Sequence, residues 1–172
     1  MNVYHDIKEV ERDTKSVITI GTYDGLHLAH RQVIDKVTGL AKEKGFRSFI
    51  VTFEPHPQEV LKNKTPDIKL LTAIDEKLRL FEKAGVENPI ICSSINKVGF
   101  RMSGGKDIYE QTLKTKKFRA IAMQVLAAGA VPPREAIEYV CKLPNIESIL
   151  FGASSKGNIV ETASLIRQYD KN

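Results

Sequence analysis

Two histidines, His27 and His30, offer the clearest chemistry in this sequence, because they stand three residues apart where a glycine-containing turn passes into a helical pattern. Side chains three apart on a helix face the same side, so both imidazoles would point at one ligand above the turn. Imidazoles at a helix N-terminus, where amide groups and the helix dipole favour negative charge, suit phosphoryl or nucleotidyl transfer. The spacing therefore predicts His27 and His30 as catalytic residues.

Two other interpretations of this histidine pair stay open. The imidazoles could be solvated or could cap the helix, because a short motif is not specific on its own. A zinc site is the weaker interpretation, because His5, His56, Cys92 and Cys141 show no paired-ligand spacing. We therefore predict no metal site.

The histidines follow the stretch SVITIGTYDG at 16–25, in which an apolar, β-prone run breaks at glycines. Strand, glycine turn and helix is the simplest interpretation. Glycine lets a backbone approach a ligand closely, and helix amides then favour a phosphate. The turn residues predicted to bind this ligand are Gly21, Thr22, Asp24 and Gly25.

Five strand and helix units follow one another along the chain. The first helix should run from about Leu28 to Lys44 and stop at Gly45, and 48–53 reads as an apolar second strand. Three more units follow from residue 89 onward. We predict a single α/β domain over residues 1–172 with one open, doubly wound parallel sheet of five strands, flavodoxin-like or Rossmann-like. The preferred strand order is 2-1-3-4-5, with right-handed crossovers and helices on both faces.

Length and composition indicate an ordinary globular protein of 172 residues, 42% of them hydrophobic and 27% charged. No apolar run reaches membrane-spanning length and the N-terminal stretch lacks the apolar core of a signal peptide, so we expect a cytoplasmic protein with no membrane partner. The net charge of +5 suits a small anionic ligand. The basic residues are dispersed, which argues against nucleic acid as a partner.

Three ordered motifs resemble the adenylyltransferase domain of bacterial bifunctional riboflavin kinase/FAD synthetase. They are GTYDGLHLAH at 21–30, TFEPHP at 52–57 and LLT at 70–72, and the resemblance covers roughly residues 14–86. The combination is far more specific than any one motif. The resemblance implies that ATP, with magnesium, binds over the first turn near the two histidines, and that the loop containing His56 lies beside the site.

A second resemblance, to the last three units of an aldolase-like TIM barrel, covers about residues 88–168. In such barrels the loops after the last two strands often hold a phosphate. Gly152, Ser154, Ser155 and Asn158 are placed for that role, although Ser and Asn at a helix start are more often caps, which is the interpretation we favour. Aldolase activity is the weakest hypothesis, because no lysine stands at a strand end as a Schiff-base nucleophile.

Two partial resemblances that meet near 86–88 predict a chimera of residues 1–87 with 88–172, and we favour an engineered one. The Asp-Phe-x-Phe-Gly and Ser-Ser-Thr-x-Ile-Arg stretches that continue the synthetase family are missing here. We therefore expect a monomeric or homodimeric scaffold with no complete native activity and no required cofactor, which retains weak binding of ATP or phosphate. The alternative is an FMN adenylyltransferase that makes FAD from ATP and FMN. Either way, an anion should lie at the carboxyl ends of the strands, beside 21–30 or 152–158.

Overall fold

The computed structural model describes residues 15–57, 71–86, 89–102 and 104–170. Its strands are β1 (Ser16–Ile20), β2 (Arg47–Glu54), β3 (Ile90–Ser94), β4 (Arg119–Met123) and β5 (Ile146–Ile149). Its helices are α1 (Leu28–Lys44), α2 (Ile74–Lys83), α3 (Lys106–Thr115), α4 (Pro133–Cys141) and α5 (Lys156–Tyr169). A 3-10 turn spans Ala127–Gly129.

The five strands form one sheet in which every neighbouring pair is parallel. This confirms the predicted α/β class. The predicted strand order 2-1-3-4-5 is wrong, because the observed order is β1-β2-β3-β4-β5. The physical reason lies in β2, whose eight residues pair with β1 on one side and β3 on the other, so that Val51 is the register partner of both Ile20 and Ile90. β1 is therefore an edge strand.

The described helices cover one face of this sheet. Crossovers of one hand between strands that follow the chain order keep their helices on the same side. The buried apolar sheet residues on that face include Ile50, Ile91, Ala120 and Ala122, which pack with helix residues such as Ile34, Leu78, Leu113, Ile137 and Ile166. On the opposite face Ile18 and Ile20 are 57% and 67% exposed. The helices therefore do not alternate between the two faces as the predicted order would require.

The first helix shows how local sequence sets an element. α1 buries Ile34, Val37 and Ala41 on one stripe and ends at Gly45, whose φ of 63° is left-handed. The amide of Phe46 donates to the carbonyl of Ala41 at 2.8 Å and closes the helix end. Both predicted ends of this helix are confirmed.

Candidate functional site

The turn after β1 is tied to the neighbouring strand β2 through backbone and side-chain hydrogen bonds. The amide of Gly21 donates to the carbonyl of Val51 at 3.1 Å. The hydroxyl of Thr52 donates to the carbonyl of Thr22 at 2.9 Å. These bonds hold the start of the turn at the carboxyl edge of the sheet, where the sequence predicted it.

Asp24 fixes the rest of the turn to the residues that precede α2. Its carboxylate accepts from the amides of Leu71, at 3.0 and 3.1 Å, and of Thr72, at 2.9 Å, and from the Thr72 hydroxyl at 2.8 Å. The Thr72 Oγ1 in turn accepts from the amide of Gly25 at 3.2 Å. Burial raises the pKa of Asp24, but the hydrogen bonds from Leu71 and Thr72 and the charge of Lys77 outweigh it and hold this pKa below 3.8.

Gly25 stands at a position in the turn that favours glycine. Its φ is +74°, and a Cβ built on it would lie 2.9 Å from Cδ1 of Leu71. The left-handed backbone therefore favours glycine here, and any Cβ would also require the Leu71 side chain to shift. This turn is shaped by its contact with the segment before α2 as much as by its own sequence.

The structure brings His27 and His30 together at the start of α1. Their rings stack with centroids 3.8 Å apart and an interplanar angle of 20°, and the Tyr23 ring lies 5.1 Å from that of His30. Burial and the neighbouring charge of His27 lower the pKa of His30 below 6.5, against an opposing influence of Asp24. The Nδ1 atom of His30 is buried and has no hydrogen-bond partner among the described residues.

No side chain among the described residues caps the start of α1. His27 occupies the N-cap position with extended backbone, yet its side chain makes no capping hydrogen bond, and the first turn contains no acidic residue. The first amides of a helix have no partner inside the helix. Capping therefore does not account for His27, and amides at a helix start favour an anion.

Next to this turn, β2 ends in a buried ion pair that sequence reasoning missed. The side chain of Glu54 is 1% exposed and lies 3.1 Å from Nζ of Lys77, which also donates to the carbonyl of Phe53 at 3.4 Å. Nearby, the buried Tyr109 hydroxyl donates to Oγ of Ser93 at 2.7 Å, and burial followed by the charge of Glu54 raises the pKa of Tyr109. A glutamate at the end of an apolar strand was the available signal.

His56, two residues beyond Glu54, is half-buried at the carboxyl end of β2. Its place beside the first turn follows from the pairing of β1 with β2. Its role in binding ATP stays a prediction.

The second predicted group lies elsewhere on the same edge. Ser155 is the N-cap of α5 and accepts from the amide of Asn158 at 3.2 Å, and the Asn158 carboxamide donates to Oγ of Ser154 at 3.2 Å. The cap interpretation is confirmed for Ser155, while phosphate binding by Gly152, Ser154, Ser155 and Asn158 stays a prediction. Because β1 and β5 are opposite edges of the sheet, about 19 Å apart at normal strand spacing, the two groups do not form one site.

No group of three or more His, Cys, Asp or Glu side chains in the described ranges is arranged to hold a metal ion. None of the helices in those ranges has the length and apolar character needed to cross a membrane.

Residues 9–123 match the family model for FAD synthetase. The bifunctional riboflavin kinase/FMN adenylyltransferase of Listeria monocytogenes is 36% identical over 86 residues, which cover 49% of this chain and 27% of that protein. The Bacillus subtilis protein of the same name is 38% identical over 84 residues, covering 49% and 26%. That of Buchnera aphidicola subsp. Acyrthosiphon pisum is 30% identical over 112 residues, covering 65% and 34%. The chain thus spans about a quarter to a third of the length of these curated relatives.

A solved structure described as a macrolide-efflux protein from Streptococcus pneumoniae covers 67% of this chain and 47% of that one, at 18% identity and a TM-score of 0.40.

The family model crosses residues 86–88, where two unrelated halves were predicted to meet. The predictions of a chimera, of an engineered protein and of a scaffold without native activity are therefore wrong. None of the comparisons supports a TIM-barrel part, whereas the resemblance of the first half to an adenylyltransferase domain is confirmed. Since the family model covers more than half of its residues, this chain belongs to the FAD synthetase family.

Proposed function

We propose that this chain transfers the adenylyl group of ATP to FMN and releases pyrophosphate, with the turn 21–30 as its nucleotide site. The observation that carries this proposal is the stacked His27–His30 pair at the uncapped start of α1. Membership of the FAD synthetase family supports it, as do relatives whose names include FMN adenylyltransferase.

In this reaction an oxygen of the FMN phosphate attacks the α-phosphorus of ATP. A new P–O bond forms while the bond from the α-phosphorus to the oxygen bridging it to the β-phosphorus breaks, and pyrophosphate leaves with the electron pair. Little covalent chemistry is required of the protein, so alignment and stabilisation of the developing charge supply most of the rate. The two imidazoles and the first amides of α1 are the groups suited to that task.

His30 is suited to be a neutral hydrogen-bonding group in this proposal. Its lowered pKa keeps the imidazole mostly uncharged near pH 7, and its Nδ1 is buried without a partner among the described residues. A neutral imidazole has one nitrogen that donates and one that accepts. A phosphate oxygen or a water bound to it would satisfy the orphaned atom.

Asp24 has an organising role in this proposal. Both of its carboxylate oxygens accept hydrogen bonds from the Leu71–Thr72 segment. That engagement makes Asp24 unsuited to hold a magnesium ion, which we expect to enter with the ATP phosphates.

The test is to incubate the purified protein with ATP, magnesium and FMN and to follow FAD by chromatography. We expect FAD well above a control without protein, and a loss of about a hundredfold in the rate for His27→Ala or His30→Ala, because one transition-state donor is commonly worth that much. Lys44→Ala, at the exposed far end of α1, is the matched control and should keep the wild-type rate.

Two outcomes would overturn the proposal. One is a folded protein that forms no FAD above the control without protein. The other is FAD formation at an unchanged rate in both histidine variants, which would move the reaction away from this turn.

A further inference from the structure

A cleft of about 410 Å³ opens at the carboxyl ends of β3, β4 and β5, away from the histidine turn. Its lining includes Phe100, Arg101, Gln124, Leu126, Phe151 and Gly152. Most of the lining lies beyond residue 123, where the match to the family model ends. Its volume is in the range of small-molecule sites, and family membership gives it no role.

The cleft combines an apolar wall with two polar side chains of known placement. The Arg101 guanidinium lies over the Phe100 ring, 5.2 Å from its centroid, and forms no ion pair with a carboxylate of the described residues. The Gln124 carboxamide accepts from the hydroxyl of Ser94 at 3.3 Å. This bond fixes its orientation at the end of β4. A guanidinium without a carboxylate partner among the described residues and an oriented amide, together in an apolar cleft, are the elements of a specific small-molecule site.

The backbone that carries the two polar side chains of the cleft is strained. Arg101 and Gln124 both have φ of 52°, and Ala128, also in the lining, has φ of 56°. Residues other than glycine adopt this left-handed region at a cost, and such residues cluster at ligand sites. Strained backbone is thus a third feature typical of a ligand site here, beside the cavity and the two polar side chains.

We propose that this cleft binds a small anion that carries a planar apolar group. The anionic group pairs with Arg101 and accepts from the Gln124 amide, while the planar group lies against Leu126 and Phe151. At normal strand spacing β4 is about 14 Å from β1, so a ligand here occupies a site of its own. The inference does not depend on adenylyl transfer at His27 and His30.

The probe for the test is 8-anilinonaphthalene-1-sulfonate, whose fluorescence rises on binding, titrated into the wild type and four variants. Arg101→Gln removes the cation, Arg101→Lys retains it, and Gly152→Leu adds bulk where a Cβ would meet nothing within 4 Å. Ile20→Ser alters the exposed apolar face of β1 and controls for binding there. Far-UV circular dichroism checks that each variant is folded.

We expect one saturable site in the wild type, weakened about tenfold or more by Arg101→Gln, partly restored in Arg101→Lys and lost in Gly152→Leu. Ile20→Ser should bind as the wild type does. N-phenyl-1-naphthylamine lacks the sulfonate, so it should bind the wild type more weakly than the sulfonate probe does. Its affinity should be the same for the wild type and for Arg101→Gln. Equal affinity of the sulfonate probe for wild type, Arg101→Gln and Gly152→Leu would overturn the inference, and so would a loss of binding in Ile20→Ser alone.

Discussion

At the scale of single residues, Asp24 concentrates more hydrogen bonds than any neighbour in the turn, and its loss is the most direct test of how the turn is held. We expect Asp24→Asn to lower the free energy of unfolding at pH 7 by about 1–3 kcal/mol, because an amide cannot replace a carboxylate that accepts from Leu71 and Thr72. Urea denaturation of the wild type and the variant measures this change in the free energy of unfolding. Asp35→Asn, on the exposed side of α1, is the control and should change stability little.

The stabilisation that Asp24→Asn removes should depend on pH, and the sign of that dependence follows from the pKa of Asp24. The pKa of Asp24 is lower in the folded state than its ordinary 3.8, so its stabilisation is complete above about pH 3.8 and is lost as the pH falls through the folded pKa. The difference in unfolding free energy between wild type and Asp24→Asn should therefore narrow below pH 3.8. A constant difference down to pH 2 would contradict the assignment of these hydrogen bonds to the charged form.

His30 provides a second prediction at this scale. Burial and the charge of His27 lower its pKa, while Asp24 raises it. In NMR titrations of the imidazole C–H signals we expect a value below 6.5, which rises in His27→Gln and falls further in Asp24→Asn. Since the unfolded chain then binds this proton more readily, His30 makes the folded state less stable as pH falls below 6.5. A His30 signal that moves in neither variant would count against the stacked arrangement.

Sequence spacing was sufficient to place His27 and His30 on one side of a helix start, because that contact is local. The contacts of Asp24 could not be predicted in the same way. They join residues 47 and 48 positions apart, and no local pattern encodes which distant amides a carboxylate will meet. The Glu54–Lys77 pair was missed for the same reason, because it depends on how α2 packs against the end of β2.

At the scale of elements, α1 has one glycine in its interior and one at its end, and substitutions at these two positions should have opposite effects. Gly39 lies in the helix interior, where a Cβ would meet nothing within 4 Å, whereas Gly45 ends the helix with φ of +63°. We expect Gly39→Ala to raise the free energy of unfolding by about 0.5–1 kcal/mol and Gly45→Ala to lower it by about 1 kcal/mol. Chemical denaturation measures both, and a shift of the same sign in the two variants would contradict the helix end described here.

The elements themselves were largely readable from sequence, because helix stops and apolar runs are local signals. The ends of α1 and the existence of α2 agree with the pattern of apolar residues and glycines. Strand order was not readable, because the connection between two strands does not specify which edge the next strand joins. Apolar runs on β1 and β2 look alike in sequence, yet one strand is an edge and the other is internal.

At the scale of the whole molecule, the face of the sheet without described helices carries exposed apolar side chains. We expect Ile18→Thr combined with Ile20→Thr to reduce self-association at high protein concentration, because both side chains are more than half exposed. The pair should change stability by less than about 1 kcal/mol, since threonine suits a strand. Sedimentation velocity over a range of concentrations measures the association.

Ile50→Thr is the matched control on the covered face of β2, where Ile50 is buried. It should lower the free energy of unfolding by about 2 kcal/mol or more, because it removes apolar contacts and buries a hydroxyl. If Ile18→Thr combined with Ile20→Thr lowered the free energy of unfolding as much as Ile50→Thr does, the outer face of β1 would have to be covered in solution.

The agreement of strand order with chain order has a consequence for how this molecule is made. Each strand pairs with the one before it, so during synthesis a newly emerged strand always finds its partner already present. The open side of each strand is filled by the very next strand to be made, whereas in the order 2-1-3-4-5 one side of β1 would stay open until β3 had followed β2. Assembly can thus advance from β1 toward β5 at the pace of translation, and among the described strands the edges open to wrong pairing are the growing one and the outer side of β1.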